Sequence, residues 1–277
     1  LANDTDADND TLTITAVSNA SGGTVDFSAG TVTFTLNGQS VVAPADQTII
    51  QIADDHGIEV PRLCYMEGMR ADGNCRTCMV EIKGERVLAA SCCRYPKDGM
   101  EVTTNSPRAV TSQKMSLELL LSDIPETSYT LDSELDLWAT KMRVGKPRFH
   151  ARPQPVEDLS HPAMAVHLDA CIQCKRCVRA CREEQVNDVI GYAFRGGHSK
   201  IVFDLDDPMG DSTCVACGEC VQACPTGALM PARDVAMVVP DKTVDSVCPY
   251  CGVGCQLTYN VKDNRILYVQ GKDGPAN

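Results

Sequence analysis

The sequence predicts a mixed α+β chain made of several small domains that are held together by bound metal. Sixteen cysteines occur in 277 residues and fall into three spaced groups. Strand–turn–strand signals such as Asn37–Gly38 alternate with segments of helical periodicity. Small domains bury too little apolar surface to be stable alone, and metal ligation adds folding free energy. We expect five segments, with boundaries at 1–31, 32–106, 107–158, 159–237 and 238–277.

Composition excludes several classes of protein. The net charge of −12 argues against a nucleic-acid partner, because phosphate binding needs a basic surface. No apolar run reaches about 18 residues, so no membrane span is expected. There is no signal peptide or twin-arginine start. The repeated two-residue cysteine spacings indicate reduced thiols more than disulfides, which predicts a cytoplasmic location.

Residues 1–31 differ from the rest of the chain. They lack cysteine, alternate threonine with apolar residues, and predict two short strands around Gly22–Gly23. Four carboxylates of the kind that bind calcium share one alternating face: Asp4, Asp6, Asp8 and Asp10. The segment resembles a fraction of a cadherin-like repeat of bacterial adhesins. A calcium-binding adhesion fragment is therefore a third possible function, and only this segment favours it. A solvated acidic leader is favoured over a folded calcium site. We hypothesise that this leader comes from a fusion or a mis-joined reading frame.

A second pattern follows. A hairpin at Asn37–Gly38 precedes helical text from Ala45 to His56, a cysteine loop, and a hairpin turning at Lys83–Gly84. Together these resemble the plant-type [2Fe-2S] ferredoxin domain, a β-grasp fold. The long first cysteine gap is similar to the domain shared by NADH dehydrogenase large subunits, iron-only hydrogenases and some formate dehydrogenases. The resemblance implies one [2Fe-2S] cluster on Cys64, Cys75, Cys78 and Cys92.

Two adjacent cysteines compete for the fourth position of that set. In the family that this domain resembles, a Gly-Met pair follows the fourth cysteine at a characteristic distance, and Gly99–Met100 lies at that distance behind Cys92. Cys92 is therefore favoured, which leaves Cys93 as a spare buried thiol. Beyond this domain, apolar periodicity predicts a helix in 107–123 and another in 131–142, with Trp138 in the local core. Relatives carry a His-plus-three-Cys motif here; this segment has neither residue type, so that cluster is expected to be absent.

Two copies of C-x2-C-x2-C-x3-C, the bacterial ferredoxin run, follow. In such pairs the fourth cysteine of each run ligates the cluster of the other run. We therefore assign two [4Fe-4S] clusters, one to Cys171, Cys174, Cys177 and Cys224, and one to Cys214, Cys217, Cys220 and Cys181. The fourth cysteine is expected on the first turn of the following helix. Zinc is the alternative, but eight cysteines in two identical runs exceed what a zinc site needs.

Other polar residues near the runs have simpler interpretations. Three histidines lack ligand spacing and are expected at the surface or at caps: His161, His167 and His198. Three cations flank the first run and either raise its potential or are solvated charges: Lys175, Arg176 and Arg179. Four more form a basic, proline-containing stretch that is interpreted as a linker in preference to an anion site: Arg143, Lys146, Arg148 and Arg152.

The last forty residues indicate the family. Cys248, Cys251 and Cys255 are spaced C-x2-C-x3-C, and two strands surround Asp263–Asn264. This text closely resembles the start of the molybdopterin oxidoreductase domain. The resemblance implies a third [4Fe-4S] cluster, incomplete here, whose fourth cysteine lies beyond Asn277. Catalytic residues and a Mo/W bis-pterin guanine dinucleotide are likewise implied downstream, with none inside this chain.

From residue 32 onward the layout resembles the large subunit of cytosolic formate dehydrogenases. That resemblance implies electron flow from the pterin through the three [4Fe-4S] clusters to the [2Fe-2S] cluster, then to an electron-accepting subunit or carrier, such as a flavin/NAD subunit. The alternatives are the large subunit of an NADH dehydrogenase or of another molybdopterin oxidoreductase. The CPYCGVGC text and the missing His-Cys motif favour formate dehydrogenase over the NADH dehydrogenase type.

Overall fold

The computed structural model describes residues 30–124, 128–232 and 238–272. The turn expected at Gly22–Gly23 and the four leader aspartates lie outside these ranges. The helices are α1 Ile49–Asp55, α2 Pro107–Leu121, α3 Glu134–Lys141, α4 Arg176–Arg179 and α5 Glu219–Gln222. The strands are β1 Thr31–Leu36, β2 Gln39–Pro44, β3 Met79–Ile82, β4 Ala89–Ala90, β5 Glu101–Thr103, β6 Met164–Val166, β7 Ile190–Ala193, β8 Lys200–Phe203, β9 Leu229–Pro231, β10 Lys242–Val247, β11 Gln256–Lys262 and β12 Arg265–Gly271.

A five-stranded sheet in the order β2-β1-β5-β3-β4 forms the first domain. The β1–β2 hairpin turns at Asn37–Gly38, as predicted, and both residues have positive φ, as a type I′ turn requires. Strand β5, which the sequence did not predict, joins β1 in parallel and separates the two hairpins. The first domain is therefore more than two independent hairpins.

Helix α1 covers this sheet with an isoleucine-rich face. It begins at Ile49, four residues later than predicted, because Thr48 and Gln51 form a capping box that fixes the start. The side chains of Ile49, Ile50 and Ile52 are fully buried. Each contributes about 1.5–3 kcal/mol of hydrophobic stabilisation relative to exposure.

The two predicted connector helices are present as α2 and α3. Ser106 caps α2 by accepting a hydrogen bond from the Ala109 N–H at 3.1 Å, and Pro107 occupies the first turn. Buried Gln113 donates to the Met79 carbonyl at 2.8 Å and to the Thr104 carbonyl at 3.1 Å. Because these carbonyls belong to the sheet domain, α2 is fixed to it. Trp138 is half-buried against the connector core, as expected.

The dicluster region contains two small hairpin-like sheets, β6–β9 and β7–β8, the second turning at the predicted Gly196–Gly197. His161 and His167 are buried, so the expected surface position is wrong for both, although His167 does lie at a cap, the N-cap of the 3-10 turn Leu168–Ala170. His161 Nδ1 accepts from the Ala163 N–H at 3.1 Å, and the His167 ring stacks on Tyr129 at 3.9 Å. His198 is exposed, as expected.

The basic stretch is only partly a solvated linker. Arg148 pairs with Glu118 at 2.7 Å and remains largely exposed. Arg152 departs from the expectation: its side chain is 13% exposed, it lies 3.2 Å from Asp123, and it donates to the Ser199 carbonyl at 2.8 Å. The end of this stretch therefore packs onto the connector and onto the dicluster region.

The final part is a three-stranded antiparallel sheet, β10-β11-β12. The predicted turn at Asp263–Asn264 joins β11 to β12, and both residues have positive φ. Strand β10 was not predicted. Among the described residues, no helix is long and apolar enough to cross a membrane.

Candidate metal centres

The four cysteines expected to form the first set converge between the sheet and the loop before it. Cys78 Sγ lies 3.4 Å from Cys92 Sγ, and the Cys64 N–H donates to Cys75 Sγ at 3.5 Å. The Cys64 thiol also accepts hydrogen bonds from Cys75 and Cys92, which lowers the pKa of Cys64 and raises the pKa of the two donors. The four cysteines thus form one connected group.

Cys92 and Cys93 occupy different environments. Cys92 is fully buried within the group, whereas Cys93 is exposed, so the expectation that Cys93 is a buried spare thiol is wrong. Both residues lie in the turn of 3-10 helix over Ser91–Cys93, and their sulfurs are 3.6 Å from each other. The lack of a side chain at Gly73 leaves room for Cys93, because a Cβ at Gly73 would lie 2.8 Å from Cys93 Sγ.

The two ferredoxin runs have the same local backbone. The second residue after the first cysteine has positive φ in both runs, at Gln173 and Ala216, and its N–H donates to that cysteine's sulfur at 3.4 Å. The fourth residue after the first cysteine, Lys175 in one run and Gly218 in the other, has a left-handed backbone conformation. It directly precedes the short helix, α4 or α5. The sequence repeat is therefore also a structural repeat.

The fourth cysteine of each run lies later than predicted. The third cysteines, Cys177 and Cys220, are on α4 and α5. Cys181 lies beyond α4 in the π-helical turn Ala180–Glu184, and Cys224 follows the end of α5. The expectation of a first-turn position is wrong, because the left-handed residue starts each helix before its third cysteine.

Two spaces in the dicluster region are each lined by four cysteines. One is lined by Cys171, Cys174, Cys177 and Cys224. The other is lined by Cys181, Cys214, Cys217 and Cys220. In each space, the structure therefore brings the first three cysteines of one run together with the fourth cysteine of the other run.

The chemistry of these cavities suits a cluster with thiolate ligands. Their remaining walls are largely apolar, including Ile172, Leu229 and Ile190. Burial raises the pKa of Cys171 to about 11 and that of Cys220 to about 12, so both thiols are neutral in the metal-free chain at pH 7. Binding iron would displace those protons. In the described residues, no three His, Cys, Asp or Glu side chains are arranged to hold a single metal ion.

Two arginines beside the first run are buried, so the solvated alternative does not apply to them. Arg176 is 4% exposed and pairs with Glu134 at 2.8 Å; Arg179 is 2% exposed. Lys175 is half-buried, with Nζ 4.3 Å from the centre of the Tyr192 ring. The second run has Gly218, Glu219 and Gln222 at the equivalent positions. This difference in charge between two runs of equal cysteine spacing is the sequence signal that marks the arginines.

The third group has a different character. Cys248, Cys251 and Cys255 lie on the loop that joins β10 to β11, closed by a hydrogen bond from the Cys248 N–H to the Cys255 carbonyl at 2.8 Å. Cys251 and Cys255 are exposed, and Cys248 is half-buried. The loop holds these three residues at one end of the hairpin without burying them.

Three family models match the chain in the order that the fold suggests. The 2Fe-2S iron-sulfur cluster binding domain matches residues 29–107, the 4Fe-4S dicluster domain residues 170–228, and the molybdopterin oxidoreductase Fe4S4 domain residues 241–277. Together with the three cysteine groups, these matches define the chain as an iron–sulfur electron-transfer module of an oxidoreductase. They confirm the predicted α+β fold class.

Relatives of this module occur in several enzymes. The chain is 33% identical to one of the NADH-quinone oxidoreductase proteins of Rhizobium meliloti, over 85% of this chain and 28% of the relative. It is 27% identical to a Staphylococcus haemolyticus protein named "Putative formate dehydrogenase", over 88% of this chain and 29% of the relative. The chain therefore spans less than a third of either relative.

A solved structure shares the fold. The crystal structure of an NAD⁺-reducing [NiFe]-hydrogenase in the H2-reduced state matches with a TM-score of 0.67 and 28% identity. The match covers 72% of this chain and 87% of the hydrogenase chain. Modules of this kind thus occur in proteins named for formate, NADH and hydrogen chemistry.

Proposed function

We propose that the chain is the electron-transfer portion of a formate dehydrogenase large subunit, carrying electrons between a Mo/W bis-pterin guanine dinucleotide site and a partner subunit. The observation that carries the proposal is the molybdopterin oxidoreductase match at 241–277, which follows a [2Fe-2S] domain and a dicluster domain. The Staphylococcus haemolyticus relative supports the choice of formate.

The ligand assignment is part of this proposal. One [2Fe-2S] cluster takes Cys64, Cys75, Cys78 and Cys92, and the two four-cysteine cavities take one [4Fe-4S] cluster each. The convergence of the first group and the lining of the two cavities support these sets. A third [4Fe-4S] cluster takes Cys248, Cys251 and Cys255, with a fourth ligand from outside these 277 residues.

When bound, each cluster supplies a site that accepts and releases one electron. The chain's own residues set the conditions for that chemistry. Burial of Cys64, Cys78 and Cys92 excludes water from the first group. The N–H groups of Gln173 and Ala216 donate to ligand sulfurs at 3.4 Å, and such bonds stabilise the more negative, reduced state.

The proposal places the protein in a reducing, cytosol-like compartment, because its cysteines are all free thiols. The partner is an electron-accepting subunit or carrier, with a flavin/NAD subunit as the leading candidate. The hydrogenase likeness supports a partner that handles NAD⁺.

The deciding experiment uses the full-length gene product, purified without oxygen. Formate is added to the oxidised protein, and cluster reduction is followed by visible bleaching and EPR. Reduction by formate within one turnover supports the proposal. Reduction by NADH or hydrogen, with none by formate, contradicts it.

A second candidate is the large subunit of an NADH dehydrogenase. The 33% identity to the Rhizobium meliloti NADH-quinone oxidoreductase protein favours it specifically. In this case electrons enter at the [2Fe-2S] end from a flavin subunit, and formate has no effect. The same titration, repeated with the flavin partner present and NADH as donor, distinguishes the two directions.

A further inference from the structure

Arg179 is the largest side chain that is fully buried in the described part of the chain. It lies on α4, two residues after Cys177, and its guanidinium leaves the dicluster region to enter the loop of the [2Fe-2S] domain. There it donates to the Arg70 carbonyl, while its Nε lies 3.6 Å from Asp72. The buried guanidinium is thus held by backbone carbonyls and by one carboxylate within ion-pair distance.

One nitrogen of Arg179 joins the two cluster domains directly. Arg179 Nη2 donates to the Cys64 carbonyl at 2.5 Å and is 3.4 Å from the Cys174 carbonyl. Cys64 belongs to the proposed [2Fe-2S] set, and Cys174 to the first proposed [4Fe-4S] set. Asn74 supports the same junction, since its side-chain amide lies 3.3 Å from the Cys174 carbonyl.

The second run shows that the arginine is not needed to build the loop. Gln222 stands at the equivalent position, yet the left-handed residues, the N–H to sulfur bond and the short helix are all the same. The run that carries Arg179 is the one that faces the [2Fe-2S] domain. Arg179 therefore serves the junction between the domains.

We propose that Arg179 is a positioning residue that fixes the [2Fe-2S] loop against the first [4Fe-4S] run and places one positive charge where both clusters are affected. This inference rests on the proposed cluster assignment and extends it. A positive charge stabilises the reduced, more negative state of each neighbouring cluster, so it raises both reduction potentials. Electron exchange between the two sites oxidises one cluster and reduces the other, with no bond broken and no proton moved.

The test is an anaerobic redox titration of the cluster-loaded protein, followed by EPR. Arg179→Gln introduces the residue that the second run already tolerates. We expect the reduction equilibrium of both the [2Fe-2S] and the first [4Fe-4S] cluster to fall about tenfold, which for a one-electron couple is about 59 mV. The cluster of the Cys181 set should keep its potential. The matched control is Arg182→Gln, which removes an exposed arginine that pairs with Asp188 at 2.6 Å.

A second variant moves the potentials in the opposite direction. Asp72→Asn removes a carboxylate that lies 3.6 Å from Arg179 and 2.9 Å from Arg70, so both potentials should rise. Unchanged potentials in this variant count against the inference if Arg179→Gln does not retain iron. Potentials that stay unchanged, or that shift at one cluster alone, overturn the inference. Such a result leaves the proposed function intact, whereas unsubstituted protein that binds no iron would contradict the cluster assignment.

Discussion

Replacing Cys92 or Cys93 separately with serine tests which of two adjacent thiols holds the [2Fe-2S] cluster. Cys92 is fully buried, and its Sγ lies 3.4 Å from Cys78 Sγ. Cys92→Ser therefore removes a central thiol and leaves a buried hydroxyl, which costs about 1–3 kcal/mol if it stays unpaired. In the loaded protein we expect the loss of about two iron atoms per chain, the content of one such cluster.

The assay is iron analysis together with EPR of the reduced protein. Cys93→Ser is the matched control, because Cys93 is exposed and should retain the full signal. The two sulfurs are 3.6 Å apart, so the double variant defines the signal with neither thiol present. Loss of the [2Fe-2S] signal in Cys93→Ser, with retention in Cys92→Ser, would refute the reasoning.

Three further predictions concern the scaffold and the protons of the sites. Gly73→Ala should lower the free energy of unfolding by about 1–3 kcal/mol, because φ is +61° and the new Cβ would lie 2.8 Å from Cys93 Sγ. Gly84 has positive φ but open space around it, so Gly84→Ala measures the backbone strain without the steric contact. Thermal denaturation of both variants compares the two. Gln113→Leu should cost about 2–4 kcal/mol in urea unfolding, since two buried carbonyls lose their donor, whereas Leu119→Ala on the exposed face should change little. Cluster assembly into metal-free protein should accelerate from pH 7 to 9, because burial raises the pKa of Cys171 to about 11 and a higher pH increases the small thiolate fraction that binds iron; absorbance growth that is independent of pH would contradict this reasoning.

The sequence predicted the parts of the fold that depend on local signals. Asn37–Gly38 and Asp263–Asn264 supply positive φ, so their hairpins formed as expected. Strands β5 and β10 were missed, because short or exposed strands carry little periodicity and depend on the neighbours with which they pair. The predicted start of α1 lies four residues too early, because the capping box of Thr48 and Gln51 fixes the start at Ile49.

The candidate metal sites show the same contrast between features set by local sequence and features that depend on distant segments. The bacterial ferredoxin pattern predicts that the fourth cysteine of each run joins the first three of the other, and the two spaces are lined in that combination. Cluster ligation by these cysteines stays a prediction. Burial of His167 and of Arg179 was not predictable from single positions. Both depend on segments far away in sequence, Tyr129 for the histidine and Cys64 for the arginine.

Iron and acid-labile sulfide analysis of anaerobically purified protein tests the central claim most directly. If the thiol groups hold clusters, the protein will be brown, with about ten iron atoms and as many sulfides per chain from the [2Fe-2S] site and the two cysteine-lined cavities. Colourless protein without iron, or protein with zinc in place of iron, would contradict the account.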